Sequence, residues 1–219
     1  MFPLVFLAAA LAMPLTPTDG SYTYAVSVGG SPAGKTTITV AHAGTGIQLA
    51  ETAAANYNGS DFAGTATLSL DDALSPAQYG AVYSPPGRTI HTALIFNANN
   101  ATESGDNGGM TFSLSAGTKH FAVLDGTLFA GFFILPAQLR AWNTQTFTAV
   151  SPMFGYGGAM AADAALKADR PKGVPAPDLR LSITDPIAFT IWYDPATLVV
   201  DEVDVPQQGA SYVRLGAGQ

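Results

Sequence analysis

Cysteine is absent from the 219 residues of this chain. Disulfide bonds, thiolate-ligated zinc, iron–sulfur clusters and a thiol nucleophile all need that side chain, so all four are excluded. A lipid anchor on an N-terminal cysteine is excluded for the same reason. The length is sufficient for one sizeable domain and gives no reason to expect two.

Charged side chains are also scarce, at 11% of the residues against about 25% in an average soluble domain. Nine Lys and Arg residues against sixteen Asp and Glu residues give a formal net charge of −7. Without a basic cluster, the chain is a poor candidate for binding nucleic acid or anionic lipid surfaces. Its hydrophobic content of 47% opposes disorder. The dispersed glycines and prolines are typical of tight turns between short strands.

The first residues form an apolar run, Phe2–Ala12, that is too short to span a bilayer and matches the core of a signal peptide. Ala10-Leu11-Ala12 fits the small-x-small cleavage pattern. We therefore predict a signal peptide at residues 1–12, a flexible segment at 13–20 and a single β domain at 21–215. The expected location is periplasmic or secreted, with no stable membrane span after cleavage. The run departs from the signal-peptide pattern in one respect: no Lys or Arg precedes it, and Lys35 is the first basic residue. The alternative interpretation of the run is an apolar strand or helix that packs on the domain.

Apolar and polar residues alternate along much of the chain, which predicts short β-strands. In Ser21–Val28, for example, Tyr22, Tyr24, Val26 and Val28 fall on one face. Ten strands are predicted in this way: Ser21–Val28, Ala33–Val40, Gly46–Ala53, Phe62–Leu70, Ala77–Tyr83, Arg88–Phe96, Met110–Ser115, Leu179–Thr184, Ile187–Tyr193 and Leu198–Val205. The pattern indicates one strongly curved antiparallel sheet.

Two polar stretches are expected at the surface of this sheet. Asn97–Gly109 is the most polar part of the chain and is predicted to be a mobile hairpin tip. Asp201, Glu202 and Asp204 are interspersed with valines, and this pattern indicates the solvated face of an edge strand.

One segment breaks the alternation and is predicted to be helical. Asp125–Trp142 is apolar almost throughout, Asp125 can cap a helix start, and Phe132 and Leu135 share a helical face with Leu128. Because the ring of Pro136 opposes an uninterrupted helix interior, we expect two short helices. Met160–Arg170 has helical propensity but only a weak apolar stripe, so its structure stays undecided.

No catalytic, cofactor-binding or metal-ligating residues are identified, and no cofactor is expected. The three histidines, His42, His91 and His120, show no HExxH or HxH spacing and are interpreted as structural. The G-x-S-x-G elbow is missing, although a Ser-His-Asp triad assembled only by the fold stays open. Asp71-Asp72 follows a predicted strand and is interpreted as a solvated pair that ends it.

The helical insert carries an aromatic cluster made of Phe129, Phe132, Phe133 and Trp142. Two interpretations stay open. The side chains can plug the inner face of the sheet and complete the core, as large aromatic residues often do. They can instead line a cavity for a lipophilic ligand, which makes these four the candidate ligand-binding residues.

The order of parts is similar to that of a known group. Tyr24 to Gly34 gives a Tyr-x-Val-x-Val-Gly-Gly…Ala-Gly opening hairpin, and the aromatic insert lies mid-chain. The closing segments are Ile191–Asp194, Leu198–Val200, Val205-Pro206 and Tyr212–Leu215. In this layout the chain resembles uncharacterised bacterial envelope proteins with a LolA/LolB-like curved antiparallel half-barrel. The resemblance implies about ten strands around a short helical insert and a lipophilic ligand, and it supplies no catalytic residues.

The resulting expectation is an exported, non-enzymatic β protein that binds a lipophilic small molecule on the inner face of its sheet. Two alternatives stay open. One is an envelope scaffold or interaction module with a fully packed core, whose partner would be an envelope protein. The other is a hydrolase whose site is not visible in the sequence.

Overall fold

The computed structural model describes residues 16–44, 46–57, 59–106, 108–152, 155–165, 178–184 and 187–216. The predicted signal peptide at residues 1–12 lies outside these ranges. Within them the chain is mainly β, as predicted, with sixteen strands and one α-helix.

The strands are β1 (Gly20–Val28), β2 (Ser31–Ala43), β3 (Gly46–Tyr57), β4 (Ser60–Leu70), β5 (Pro76–Ser84), β6 (Ile90–Phe96), β7 (Asn100–Gly105), β8 (Thr111–Ser113), β9 (Phe121–Val123), β10 (Thr146–Ser151), β11 (Tyr156–Ala161), β12 (Asp163–Ala165), β13 (Leu179–Ile183), β14 (Phe189–Tyr193), β15 (Val200–Val205) and β16 (Ala210–Arg214). The helix α1 (Ala130–Trp142) lies between β9 and β10, and one turn of 3-10 helix, Pro206–Gln208, joins β15 to β16.

Thirteen of the strands form one antiparallel sheet in the order β12-β13-β14-β15-β16-β1-β2-β3-β4-β5-β6-β7-β8. Two meanders, β1 to β8 and β12 to β16, meet where β16 pairs with β1 and Tyr24 lies opposite Arg214. In the described part of the chain the sheet is open, because β8 and β12 form its edges. The predicted single sheet of about ten strands is therefore approximate. All ten predicted strands have counterparts in the large sheet, which adds β7, β12 and β16.

A second sheet was not predicted. It contains three strands in the order β11-β10-β9, with β10 antiparallel to β11 and parallel to β9. Strand β9 is buried at every position and therefore shows no alternation, while β11 is rich in glycine and alanine. Residues 160–165 of the undecided segment Met160–Arg170 belong to β11, β12 and their junction, and the rest of that segment lies outside the described residues.

The alternation in the first strands gives the predicted facing of their side chains. In β1, Tyr24 and Val26 are buried, and in β2, Ile38 and Val40 are buried, whereas the residues between them are more exposed. This inner face of the large sheet packs against α1 and the small sheet to form one core.

The polar stretch Asn97–Gly109 is not a mobile hairpin tip. Its residues Asn100–Gly105 form β7, which pairs with both β6 and β8. Ala101 and Glu103 are buried within it, and Glu103 accepts a hydrogen bond of 2.9 Å from the Thr92 hydroxyl. Polar composition hid a strand because its inward positions include a charged residue, of which one carboxylate oxygen binds the Thr92 hydroxyl of the neighbouring strand. The other oxygen is buried and has no partner within the described residues.

The prediction of a solvated edge for Asp201, Glu202 and Asp204 is also wrong. Strand β15 lies between β14 and β16, and both Asp201 and Glu202 are buried. The carboxylate of Asp201 pairs with the Arg214 guanidinium of β16 at 2.6 Å. Glu202 lies opposite Trp192 of β14. Cross-strand neighbours therefore cover side chains that the sequence pattern assigned to solvent.

The insert contains one helix rather than two, because α1 continues through Pro136. Proline removes one N–H donor from the helix, yet the run of residues from Ala130 to Leu139 is buried throughout. The free energy gained by burying these apolar side chains is larger than the cost of one missing hydrogen bond. The helix ends at Asn143, whose left-handed conformation (φ 49°) and N–H bond to the Arg140 carbonyl are typical of a C-cap.

Candidate functional site

The start of α1 is held very close to the small sheet by a glycine. A Cβ atom at Gly131 would lie 1.8 Å from the carbonyl oxygen of Val123 in β9, which is far inside van der Waals contact. Only glycine therefore fits between this turn of the helix and the strand. This contact sets the distance between the start of α1 and β9 of the small sheet.

A buried carboxylate on the sheet caps the helix. Glu51 of β3 points inward, and its Oε2 atom accepts N–H bonds from Phe129 at 2.7 Å and from Ala130 at 2.8 Å. Its Oε1 atom accepts a bond of 2.7 Å from the Thr36 hydroxyl. The N-cap residue Phe129 has no oxygen in its side chain and cannot accept these N–H bonds itself. Glu51 accepts them from the neighbouring sheet and so replaces the usual N-cap side chain.

A second buried carboxylate, Asp125, holds the turn that leads into α1. Its Oδ1 atom accepts N–H bonds from Thr127 at 2.9 Å and from Leu128 at 3.3 Å. Its Oδ2 atom accepts hydroxyl bonds from Tyr79, at 2.7 Å, and from Tyr83. The sequence predicted Asp125 as a cap, and it does cap the approach to the helix, which itself begins five residues later.

Burial dominates the electrostatics of both acids. It raises the pKa of Glu51 to about 7, against the opposing effect of the N–H bonds from Phe129 and Ala130. It also raises the pKa of Asp125, although the two tyrosine hydroxyls and the backbone N–H groups lower it. Within the described residues, neither acid forms an ion pair with Lys or Arg. The insert is thus attached to the sheet through carboxylates that have no cation beside them.

The predicted ligand-binding residues Phe129 and Phe133 lie in the core. The ring of Phe129 lies 4.6 Å from that of Tyr24 and 4.8 Å from that of Tyr212, centroid to centroid. The ring of Phe133 lies 5.2 Å from that of Tyr22. Neither phenylalanine is exposed at all. The aromatic contacts join the insert to the strands on both sides of the β1–β16 pairing.

The other two predicted residues, Phe132 and Trp142, lie apart from this group. Phe132 meets Phe189 of β14 edge to face, with ring centroids 5.0 Å apart. Trp142 stacks on His120 at 4.6 Å, and its Nε1 atom donates a bond of 2.9 Å to the Ala73 carbonyl. Phe129, Phe132 and Phe133 therefore lie at the start of α1, and Trp142 lies at its end. That they contact a ligand stays a prediction.

The space between the insert and the large sheet is nearly filled. A cavity of about 20 Å³ remains between α1, the small sheet and β14, with Phe132, Met160 and Phe189 in its lining. That volume holds about one water molecule. The Ser151 hydroxyl beside it is buried and has no hydrogen-bond partner within the described residues. A nearly filled interior agrees with the interpretation that the aromatic residues of the insert plug the inner face of the sheet.

A larger concavity opens beside the second half of α1, and we call it the α1 groove. It has a volume of about 600 Å³, which is within the range of small-molecule sites. Its walls come from α1, β13, β14 and the loop between β14 and β15, and they include Leu139, Arg140, Leu179, Leu181, Tyr193 and Leu198.

The α1 groove has an apolar floor and a polar rim. Leu139, Leu181 and Leu198 of the floor are buried, while Asn143 and Gln145 at the rim are exposed. Such a combination suits a ligand with a large apolar part. The strands that line the groove are far from α1 in sequence, so no local pattern could have indicated it.

The structure brings one histidine together with a carboxylate and a hydroxyl. The Nε2 atom of His42 lies 3.1 Å from the Thr16 hydroxyl, and its Nδ1 atom bonds to the Asp19 carboxylate. This has the connectivity of a hydrolytic triad. However, the side chains of His42 and Asp19 are 42% and 62% exposed. Neither the α1 groove nor the interior cavity includes any of the three residues. The cluster therefore joins the segment before β1 to β2.

The remaining candidate residues have structural surroundings. His91 is exposed on β6, and its backbone N–H bonds to Asp106 at 2.8 Å. His120 stacks on Trp142, and burial lowers its pKa. Asp71, in the predicted solvated pair, is exposed and ends β4, and its Oδ1 atom accepts two backbone N–H bonds in the following turn. The interpretation of that pair is confirmed.

The described ranges contain neither a metal-binding cluster nor a membrane-spanning helix. No group of three or more His, Asp or Glu side chains there could hold a metal ion. None of the helices in those ranges is long and apolar enough to cross a membrane.

Comparison with known proteins assigns no family, because no family model, no curated protein and no solved structure matches the chain. What the chain can bind is therefore argued from its own geometry.

The sequence did contain one signal for the buried acid that was missed. In β3 the inward positions are Ile47, Leu49, Glu51, Ala53 and Ala55. A single charged residue in the apolar register of a strand indicates a buried group with a specific partner.

Proposed function

We propose that the protein is a non-enzymatic binding protein that holds a lipophilic small molecule in the α1 groove. The observation that carries this proposal is the groove itself, with a volume of about 600 Å³ over a leucine-rich floor. Leu179 on the groove wall keeps part of its side chain exposed, and exposed apolar surface gains free energy when a ligand covers it, about 25 cal/mol for each Å².

The α1 groove is a better candidate than the space beneath the insert. A ligand there would have to displace Phe129 and Phe133, which are fully buried and in ring contact with strand tyrosines. Packed aromatic residues of this size contribute several kcal/mol to stability. In the groove no such rearrangement is needed. The predicted aromatic cluster then supports the helix whose outer face forms one wall of the site.

An open sheet with one helix packed on a single face supports the interpretation of the fold as a half-barrel. We include in the proposal that the chain is exported to the periplasm or beyond, on the basis of the apolar run at Phe2–Ala12. A binding protein in that compartment would meet its lipophilic ligand outside the cytoplasm.

The packed interior favours a second candidate, an interaction module of the cell envelope. The cavity under the insert is only about 20 Å³, so the sheet and helix are packed together and a partner protein would bind on their outer surface. This candidate predicts a stable protein partner and no affinity for small lipophilic probes.

The experiment that tests the first candidate measures binding of N-phenyl-1-naphthylamine, an uncharged fluorescent probe. We expect saturable binding by the full chain. Leu179→Asp places a carboxylate on the groove wall and should weaken binding at least tenfold, because covering that charge with an apolar ligand is costly. The milder Leu179→Asn should weaken it less.

Ile95→Asp provides the matched control. Ile95 is 61% exposed and lies on β6, away from the α1 groove, so the same type of substitution should leave the affinity unchanged. Circular dichroism of each variant shows whether the fold is retained. If the wild-type chain does not bind the probe, the proposed function is wrong. If Leu179→Asp and Ile95→Asp have equal effects, the site lies elsewhere.

A further inference from the structure

One charged side chain stands out among the residues that line the α1 groove. Twelve of the described residues line it. Arg140 is the single charged residue among these twelve. The chain has only nine basic residues and a net charge of −7. From this composition an acidic residue would be expected in the groove more often than a basic one.

The side chain of Arg140 is exposed at the groove rim and makes one hydrogen bond within the described residues. Its Nη1 atom donates a bond of 3.1 Å to the carbonyl oxygen of Pro195. A guanidinium has five N–H donors in a fixed fork. Within the described residues, no carboxylate forms an ion pair with Arg140. Its remaining donors can therefore bind an oxyanion in the bidentate manner that this side chain favours.

The loop that positions this guanidinium is itself well ordered by hydrogen bonds. Asp194 accepts bonds from the Ala196 N–H at 2.8 Å and from the Thr197 hydroxyl at 2.9 Å. The Asp194 carbonyl accepts the Leu198 N–H at 2.7 Å. Its carboxylate is thus occupied within its own turn. The Pro195 carbonyl that contacts Arg140 is fixed by this turn, so the exposed Arg140 side chain has one anchor at the groove rim.

Arg140 also acts electrostatically on the groove wall. Burial raises the pKa of Tyr193, and the positive charge of Arg140 opposes that rise. The charge is therefore close enough to influence a group inside the groove. The negative end of the α1 dipole acts in the opposite direction. Two carbonyls of its last turn, those of Arg140 and Leu139, already accept N–H bonds from Asn143 and Thr144.

We infer that the ligand of the α1 groove is an amphiphile with an anionic head group, and that Arg140 binds that head group while the leucines contact the apolar tail. This inference rests on the proposed function and specifies its ligand class. Carboxylate and phosphate head groups share the oxygen geometry that a guanidinium recognises.

The test compares three compounds with the same tail, namely decanoate, decyl phosphate and decan-1-ol, by displacement of N-phenyl-1-naphthylamine. In the wild-type chain at least one anion should bind about tenfold more tightly than the alcohol, and the tighter anion identifies the head group. Arg140→Gln should abolish this preference, so that the anions and the alcohol displace the probe with similar affinity. Arg140→Lys should retain part of it.

Arg88→Gln is the matched control, since Arg88 is exposed and lies outside the groove, and it should keep the full preference. Equal binding of the alcohol and both anions by the wild type would overturn the inference and leave the proposed function intact. No binding of any of the compounds or of the probe would remove the proposed function itself. A preference for anions that persists in Arg140→Gln would show that another cation binds the head group.

Discussion

Replacing the buried acid Glu51 by glutamine should change how the stability of this protein depends on pH. In the folded chain burial raises the pKa of Glu51 from 4.5 to about 7. A carboxyl whose pKa is higher in the folded state stabilises the fold when protonated. This contribution is fully present below pH 4.5 and is lost as the pH rises to about 7.

The magnitude follows from the same two pKa values. A carboxyl that titrates near 7 when folded and near 4.5 when unfolded lowers the free energy of unfolding by about 3 kcal/mol above pH 7. Glutamine keeps one oxygen for the N–H groups of Phe129 and Ala130, and its amide can donate to the Thr36 hydroxyl. Glu51→Gln should therefore match the wild type to within about 1 kcal/mol near pH 5. Near pH 8 it should be more stable by up to about 3 kcal/mol.

Urea unfolding at a series of pH values from 5 to 8, followed by tryptophan fluorescence and circular dichroism, measures the difference. The wild type should lose stability as the pH rises, because burial also raises the pKa of Asp125 and Glu202. Asp72→Asn, at an exposed position, should follow the wild-type curve. Parallel curves for Glu51→Gln and the wild type would refute the reasoning, and so would a wild type that is most stable at pH 8.

Two further substitutions test how the insert and the sheet are held. Gly131→Ala should destabilise the fold by about 2 to 3 kcal/mol in urea unfolding, because its Cβ would overlap the Val123 carbonyl. Gly80→Ala meets Thr67 at an ordinary 3.4 Å and should be nearly neutral, so equal losses would contradict the close packing of α1. Arg214→Gln leaves the buried Asp201 carboxylate without its cation and should cost about 2 kcal/mol, reduced by the partial exposure of Arg214. Arg88→Gln should have no measurable effect, and if both arginine variants unfold alike the ion pair contributes nothing.

Where one face of a strand is buried and the other is wet, the sequence was sufficient to predict the strand. The alternation of Tyr24 and Val26 with smaller polar residues predicted β1 almost to its ends, Gly20–Val28. Prediction failed where that contrast disappears. Strand β9 is buried on both faces, and β7 has a glutamate at an inward position. Neither gives a period-two signal, although both are paired strands.

The candidate site was predictable only in part, because the residues that form it are distant in sequence and come together only in the folded chain. The sequence indicated that the insert packs against the sheet, and α1 does so. It could not indicate that Glu51, some eighty residues before the helix, caps it, since that contact depends on strand order. The α1 groove depends likewise on β13 and β14 lying beside the end of α1. Local propensity also predicted a break at Pro136, which tertiary packing overrode.

The pairing of β16 with β1 has a consequence for the order in which the chain can be assembled. Each meander can form from neighbouring strands, but the seam between them joins the first and last described strands of the chain. Contacts between such distant segments have a high entropic cost of closure and form slowly. During synthesis β1 therefore waits with one edge unpaired until β16 has left the ribosome. The large sheet can therefore be completed only once β16 is available, and until then the β1 edge is a surface on which a chaperone can act.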